Sequence, residues 1–413
     1  MADGPSITFA YPNREHEALR EDLERAVTRV LRSGAYVLGP DVQAFEQAFS
    51  EYTGAPHTIA VSSGTDALVC ALIALGIGPG HDVIVPAFGF VAAAEAVVRV
   101  GATPVFVDVE PNTLGPDPAA CKDVICDRTR AVIVMHLFGQ AVDLASLREA
   151  IGELPIVEDA AQAIGTRVGD AHVTPLRPPS RPSPATGEGG KSRGRPGGTN
   201  YQVGTIERVG TFSFFPAKSL GAAGDGGAVT TADPELAQRV RHARVHGASR
   251  AYVWDGPGGN YRMDAVQAAL LTVKLGALDA RLLRRKQIGR RLSDVASAHD
   301  IRVLSGGTTC EPTYAPFVLR LTARGRDDQT ARGRADYRRD DVRERLRARG
   351  VDARVHYPTT LCEAPVYRSL AGPGPWPEAH RATRELLSLP CSPELSDDEV
   401  ERLVSALSEV LRG

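Results

Sequence analysis

Three short stretches of the 413-residue chain hold side chains suited to chemistry on a carbonyl group. The first is SFFPAKSLGAAGDGG, where Lys218 sits between apolar and small residues. An amine in such surroundings binds its proton less tightly and can attack a carbonyl carbon to form a Schiff base. The glycines that follow let backbone approach a bulky ligand closely. The second is PIVED at 155–159, an apolar run that ends in Glu158 and Asp159. In a strand the two carboxylates point to opposite faces, and one of them can meet a ligand, such as the protonated ring nitrogen of pyridoxal phosphate. The third is SSGTDAL at 62–68, where Gly64 and Thr65 open a helix whose first N–H groups suit a phosphate. Each feature alone has a plainer explanation: a solvated lysine, a carboxylate capping the next helix, a tight turn with an N-cap.

Positioning these groups requires a rigid frame, and the hydrophobic pattern supplies one. Short runs rich in β-branched residues recur at 58–62, 82–86, 103–109, 130–136, 155–159 and 226–231, with helix-like segments such as TDALVCALIALG between them. Strands that are apolar on both faces and spaced by helices predict an α/β domain with a mostly parallel sheet, its ligands beyond the strands' carboxyl ends. A helical segment at 263–295 leads out of this domain. Strands near IRVL and PFVLRLT, and the helices DDVRERLRARG and DDEVERLVSALSEVLR, predict a smaller C-terminal α+β domain. The division is expected at 1–285 and 286–413.

Composition narrows the classes of partner. With 48 basic and 50 acidic residues the formal net charge is −2, so no global field draws nucleic acid or anionic lipid. The first residues lack an apolar run behind cations, and no window is apolar enough to span a bilayer, so a cytoplasmic protein is expected. The six cysteines are scattered, with no CxxC pair and no Cys/His pair at ligand spacing, which predicts reduced thiols and no metal site.

In their order along the chain, these features resemble the DegT-type sugar aminotransferases, fold type I pyridoxal-phosphate enzymes. The similarity rests on VSSGTDAL, HDVIVPAFGF, GATPVFVDVEPNT, HLFGQAVDL, VEDAAQAIG, FSFFPAKSLGAAGDGGAV, GGNYRMDAVQAALL and VHYP, and it spans about residues 34 to 403. It implies an aspartate-aminotransferase-like large domain that carries pyridoxal 5′-phosphate. Lys218 would hold the cofactor covalently, Asp159 would pair with its ring nitrogen, Gln162 would lie near its 3-hydroxyl, and Phe90 would stack on the ring. Gly64, Thr65 and Ser213 would bind the phosphate. Asn260 would reach the phosphate of a neighbouring subunit, so the active sites would be shared in a homodimer. His356 and Tyr357 would lie near the sugar.

The resemblance implies ping-pong transamination from L-glutamate to a keto group of a nucleotide-diphosphate sugar, with the freed Lys218 amine as general base and acid. Relatives that remove a sugar hydroxyl typically carry His in place of the lysine, so Lys218 favours transamination over a pyridoxal-dependent dehydratase. The blocks around SFFPAK and GGNYRM lean toward 3-keto substrates. Other readings are a same-fold enzyme acting on another ketone, such as a keto-cyclitol, and a non-catalytic cofactor-binding regulator. Two positions depart from the family's usual pattern: Gly89 stands where Thr is usual before the stacking aromatic, and Ser219 follows the lysine where Asn is frequent.

Between Asp159 and Lys218 lies PLRPPSRPSPATGEGGKSRGRPGG, about half proline and glycine. Both flanking residues belong to one site, so this stretch reads as an insertion within the large domain, at about 170–202. Its composition predicts a surface loop without packing. Arg177, Arg181, Lys191, Arg193 and Arg195 against Glu188 make it basic. That charge either attracts the substrate's diphosphate or belongs to a passive insertion.

Overall fold

The valines and isoleucines of the central strands alternate between two apolar clusters. Val83, Val85, Ile133, Met135 and Val157 join one, while Ile84, Val132, Val134 and Ile156 join the other. Adjacent residues of a strand point to opposite faces, so this sorting is that of a sheet covered on both sides. The computed structural model describes residues 6–169, 201–304, 310–322, 338–372 and 374–412. Its main strands are β1 (His57–Val61), β2 (Asp82–Pro86), β3 (Thr103–Val107), β4 (Thr129–Met135) and β5 (Ile156–Asp159). The short β6 (Arg167–Val168) and β7 (Tyr201–Gln202) follow, then β8 (Val209–Ser213) and β9 (Gly227–Thr231). The sheet has seven strands in the order β1-β9-β8-β5-β4-β2-β3. Only β9 runs antiparallel to its neighbours, β1 and β8.

A second, three-stranded antiparallel sheet joins Arg302–Val303, Phe317–Arg320 and Leu386–Leu389. Its apolar cluster gathers Ile288, Leu292, Phe317, Leu319, Leu346, Leu387, Leu403 and Leu407, and also Ile7 from the start of the chain. The helix Leu278–Ala298 runs without a break past residue 285, connecting this cluster to the main sheet.

The architecture is the α/β arrangement with a mostly parallel sheet that the hydrophobic pattern predicts. Two elements differ from that pattern. The helical segment expected at 263–295 is two helices, Ala265–Leu275 and Leu278–Ala298, parted at Gly276 and Ala277. Strand β8, with the sequence VGTFS, lies outside that pattern, because glycine, threonine and serine dilute its apolar period.

Most of the expected insertion at 170–202, with its basic residues, lies outside the described residues. Tyr201 and Gln202 do not belong to it: Val168 is paired with Tyr201 and Arg167 with Gln202 in an antiparallel ladder. Gln202 is buried, and its amide bonds to Ala163 O and Val203 O. Among the described residues, no helix is long and apolar enough to cross a membrane.

Candidate active site

A cavity of about 520 Å³ opens beyond the carboxyl ends of β5 and β8. Strand β5 delivers Asp159 to it, and the alternation that puts Val157 in one cluster and Ile156 in the other turns Glu158 away. Glu158 is fully buried and accepts hydrogen bonds from the N–H groups of Gly204 (2.7 Å), Ile206 (2.9 Å) and Glu207 (2.6 Å). His136 Nε2 lies 3.1 Å from the same carboxylate. Its Nδ1 accepts from Val142 N, so Nε2 carries the proton and donates to Glu158. Asp159 receives a single backbone N–H, from Ala161 at 3.0 Å. Burial pushes the Asp159 carboxyl above the usual range, opposed by the Ala161 N–H, Lys218 and His136.

Lys218 lies on the loop that leaves β8. Phe214 N bonds to Gly226 O, Lys218 N to Phe215 O and Ala222 N to Phe214 O, which closes the loop on itself. Two cations fasten its far side: Lys274 Nζ donates to Gly221 O (2.7 Å) and Arg281 Nη1 to Ser219 O (3.0 Å). Glu15 pairs with both cations, at 3.2 Å and 2.5 Å, and Glu394 pairs with Arg281 at 2.7 Å. The charges that hold this loop are therefore compensated among themselves. Lys218 itself faces the cavity, and burial lowers its pKa against the pull of Asp159. An amine so disposed is a nucleophile nearer neutral pH than a surface lysine.

At the start of the helix Gly64–Ala74, Ser63 caps the N–H of Asp66, while the N–H groups of Gly64 and Thr65 have no partner within the helix. Ser213 closes against this turn: a Cβ on Gly64 would stand 2.6 Å from the Ser213 Cβ, so only glycine lets the two approach. Gly64, Thr65 and Ser213 together line the cavity as a small cradle of donors at a helix N-terminus, which suits a phosphate.

Aromatic and amide groups form the rest of the wall. Gln162 accepts from Phe138 N (2.9 Å) and donates to the Tyr357 hydroxyl oxygen (3.0 Å). Burial pushes the Tyr357 phenol up to about 12, so it keeps its proton and can donate it in a further bond. Phe90 is 50% exposed, with its ring centroid 6.1 Å from that of Tyr357. His356 Nδ1 lies 2.9 Å from Ser388 Oγ, and burial holds the imidazole below its ordinary pKa, with Arg354 and Lys218 adding to the effect.

Of the residues to which the resemblance gives a role, all line this one cavity except Asn260. Asn260 is exposed, on a bridge to Val245. Of the two departures, Gly89 has a physical reason. Its φ is +154°, and the Met135 thioether fills the space a Cβ would take. Ser219 has a buried hydroxyl without a partner among the described residues.

Sequence reasoning missed Phe9, Arg285, Arg354 and Cys391, which also line the cavity. Arg285 left a signal: it interrupts an apolar stripe formed by Leu278, Leu282, Ile288 and Leu292. Cys391 is buried and its thiol is pushed up to about 12, so it serves as packing and not as a nucleophile.

Residues 17–408 match the DegT/DnrJ/EryC1/StrS aminotransferase family. The chain is 37% identical to a dTDP-3-amino-3,4,6-trideoxy-alpha-D-glucose transaminase of Streptomyces venezuelae, over 99% of this chain and 97% of that one. It is also 37% identical to the erythromycin biosynthesis sensory transduction protein EryC1 of Saccharopolyspora erythraea, over 94% and 95% of the two chains. Among solved structures, S. venezuelae DesV in complex with a ketimine intermediate superposes with a TM-score of 0.84 at 36% identity. The match covers 99% of this chain and 100% of that one.

Proposed function

The chain belongs to the DegT/DnrJ/EryC1/StrS aminotransferase family, and from that premise we propose that it is a pyridoxal 5′-phosphate-dependent transaminase acting on a nucleotide-diphosphate keto sugar. The observation that carries this reading is the convergence of Lys218, Asp159 and the Gly64/Thr65/Ser213 cradle on one cavity.

The residues present fit the cofactor. The cradle offers free N–H groups to its phosphate, and Asp159, buried with one hydrogen bond, gains a counter-charge from a protonated ring nitrogen. Gln162 and Phe90, which line the same cavity, would meet the 3-hydroxyl and one face of the ring. Bound there, pyridoxal phosphate supplies an electron sink for the bond broken at the donor's Cα. The protein's own part begins with Lys218, whose lowered pKa eases release of its proton, so that its amine can take and return one at the reacting carbon. Asp159 would supply the negative counter-charge at the ring nitrogen, and Tyr357 and Gln162 would orient the polar edge.

L-Glutamate is the amino donor and the sugar's 3-keto group the acceptor in this reading. The sugar product named for the S. venezuelae relative, aminated at its third carbon, supports it. A homodimer with shared sites fits the exposure of Asn260 and of Tyr252 and Trp254 near it in the sequence, and in this reading the reaction belongs in the cytoplasm. The test is a screen of 3-keto and 4-keto nucleotide sugars with L-glutamate, read by mass spectrometry. A gain of an amino group on the 3-keto substrates is expected. Bleaching of the cofactor by glutamate with no sugar product transfers the reading to another ketone.

A further inference from the structure

The ion-pair cluster beside the Lys218 loop holds three cations that could serve as anion receptors, and two of them are already engaged. Glu15 is shared by Lys274 and Arg281, and Glu394 is held by Arg281 and by Ser392 Oγ at 2.5 Å. His16, against Lys274, has its pKa lowered by burial and by that lysine, so it adds no charge. Three cations against two carboxylates leave one positive charge over, and Arg285 is the residue that carries it. Its residue exposure is 8%, its Nε is buried without a partner, and its guanidinium makes no hydrogen bond or ion pair among the described residues.

Arg285 also lines the cavity that Lys218 faces. The helix Leu278–Ala298 places it there in register with Leu282 and Ile288, so an apolar side chain would satisfy the packing. A buried guanidinium without a counter-ion is costly, and a fork of donors aimed into a ligand cavity suits a carboxylate taken in two parallel hydrogen bonds. We infer that Arg285 is the receptor for a carboxylate of the amino donor, and for the same carboxylate of the keto acid that leaves. The inference rests on the transaminase reading above.

The nucleotide sugar's diphosphate is the competing anion, and the structure offers it a different arginine. Arg354 lines the same cavity but is exposed, is paired with Asp352 at 2.5 Å, and stacks on the Phe9 ring 4.7 Å away. A diphosphate tied to a nucleoside must reach solvent, which suits the exposed arginine. A single surplus charge in a buried wall matches a single carboxylate.

The test uses holoenzyme without sugar: wild type, Arg285→Met and Arg285→Lys are titrated with L-glutamate while the visible cofactor absorbance is followed. Arg285→Met is expected to raise the half-bleaching concentration about 100-fold, with partial recovery in Arg285→Lys, as for loss of one partner of a buried charge pair. The KM for the nucleotide keto sugar is expected to stay within about threefold, which assigns the loss to the donor step. In calorimetry, 2-oxoglutarate binding to the pyridoxamine-phosphate form is expected to be lost with Arg285→Met. Melting temperature should hold or rise, because the side chain has no structural partner to lose; a fall assigns Arg285 to the scaffold and overturns the proposal. Unchanged glutamate dependence, or a rise in the sugar's KM instead, also overturns it. A wild type that glutamate does not bleach fails earlier and overturns the functional reading itself, so the two failures are told apart.

Discussion

The cavity and the ion-pair cluster beside it are built from the same residue types and use them oppositely. Each has a lysine drawn back from solvent: Lys274 is fully buried, paired with Glu15 and bonded to Gly221 O, whereas half-buried Lys218 meets, among the described residues, the field of Asp159 without an ion pair. Neighbouring carboxylates on β5 divide the same way, with Glu158 taking three backbone N–H groups and Asp159 one. The arginines of one helix repeat the pattern, Arg281 saturated and Arg285 without a partner among the described residues. Burial is common to both regions, so burial alone does not mark function. What marks the cavity is polar capacity left unused, which a ligand can take up at little cost in reorganisation.

The widest separation is expected at the lysines. Lys218→Ala should lower turnover by about 10⁴-fold, the upper range for one acid–base group, and abolish the visible cofactor band. Lys274→Met should instead lower stability by about 3 kcal/mol while the folded protein keeps its band, since it leaves Glu15 short of a partner. A Lys274 variant that melts normally but loses the band would collapse the distinction.

The carboxylates come next. Asp159→Asn should reduce kcat by about 10²-fold with an unchanged or higher melting temperature, because a desolvated charge is removed. Glu158→Gln should cost about 2 kcal/mol of stability and leave the kcat of the folded fraction nearly intact. Paired kinetics and thermal melts would detect the reverse assignment.

These contrasts mark what the sequence could and could not disclose. Lys218, Asp159, Gly64 and Thr65 were legible because strand ends and glycine-rich turns are local features that topology carries to one edge. The choice between Glu158 and Asp159 stayed open in the strand itself. Alternation says that they diverge, but the donors that saturate Glu158 come from residues 204–207, brought in by tertiary structure. Arg285 was hidden in the arginine-rich run RLLRRKQIGRR, where only the apolar stripe around it distinguishes one guanidinium from the next. The break at Gly276 was equally invisible, because the hydrophobic period continues through it.

A smaller effect sharpens the structural side of the comparison. Arg14 grips Glu399 with two hydrogen bonds of 2.6 and 2.9 Å, joining the N-terminal helix to the C-terminal one, and this holds the Glu399 carboxyl down at about 2. A depressed carboxylate stabilises the fold above its unfolded pKa and loses that contribution as pH falls through the folded value. The melting difference between wild type and Glu399→Gln should therefore be present at neutral pH and shrink from about pH 4.5 to pH 2. Its size is about 1 kcal/mol, since Arg14 is partly solvated. A difference that does not change with pH would remove the ion pair from the account.

The central claim is that Lys218, and not the more deeply buried Lys274, carries the cofactor. Borohydride reduction of the holoenzyme followed by peptide mass mapping tests it directly. A pyridoxyl adduct on Lys218 alone is the predicted result. An adduct on Lys274, or reduction that leaves both lysines unmodified in a protein with the visible band, would contradict it.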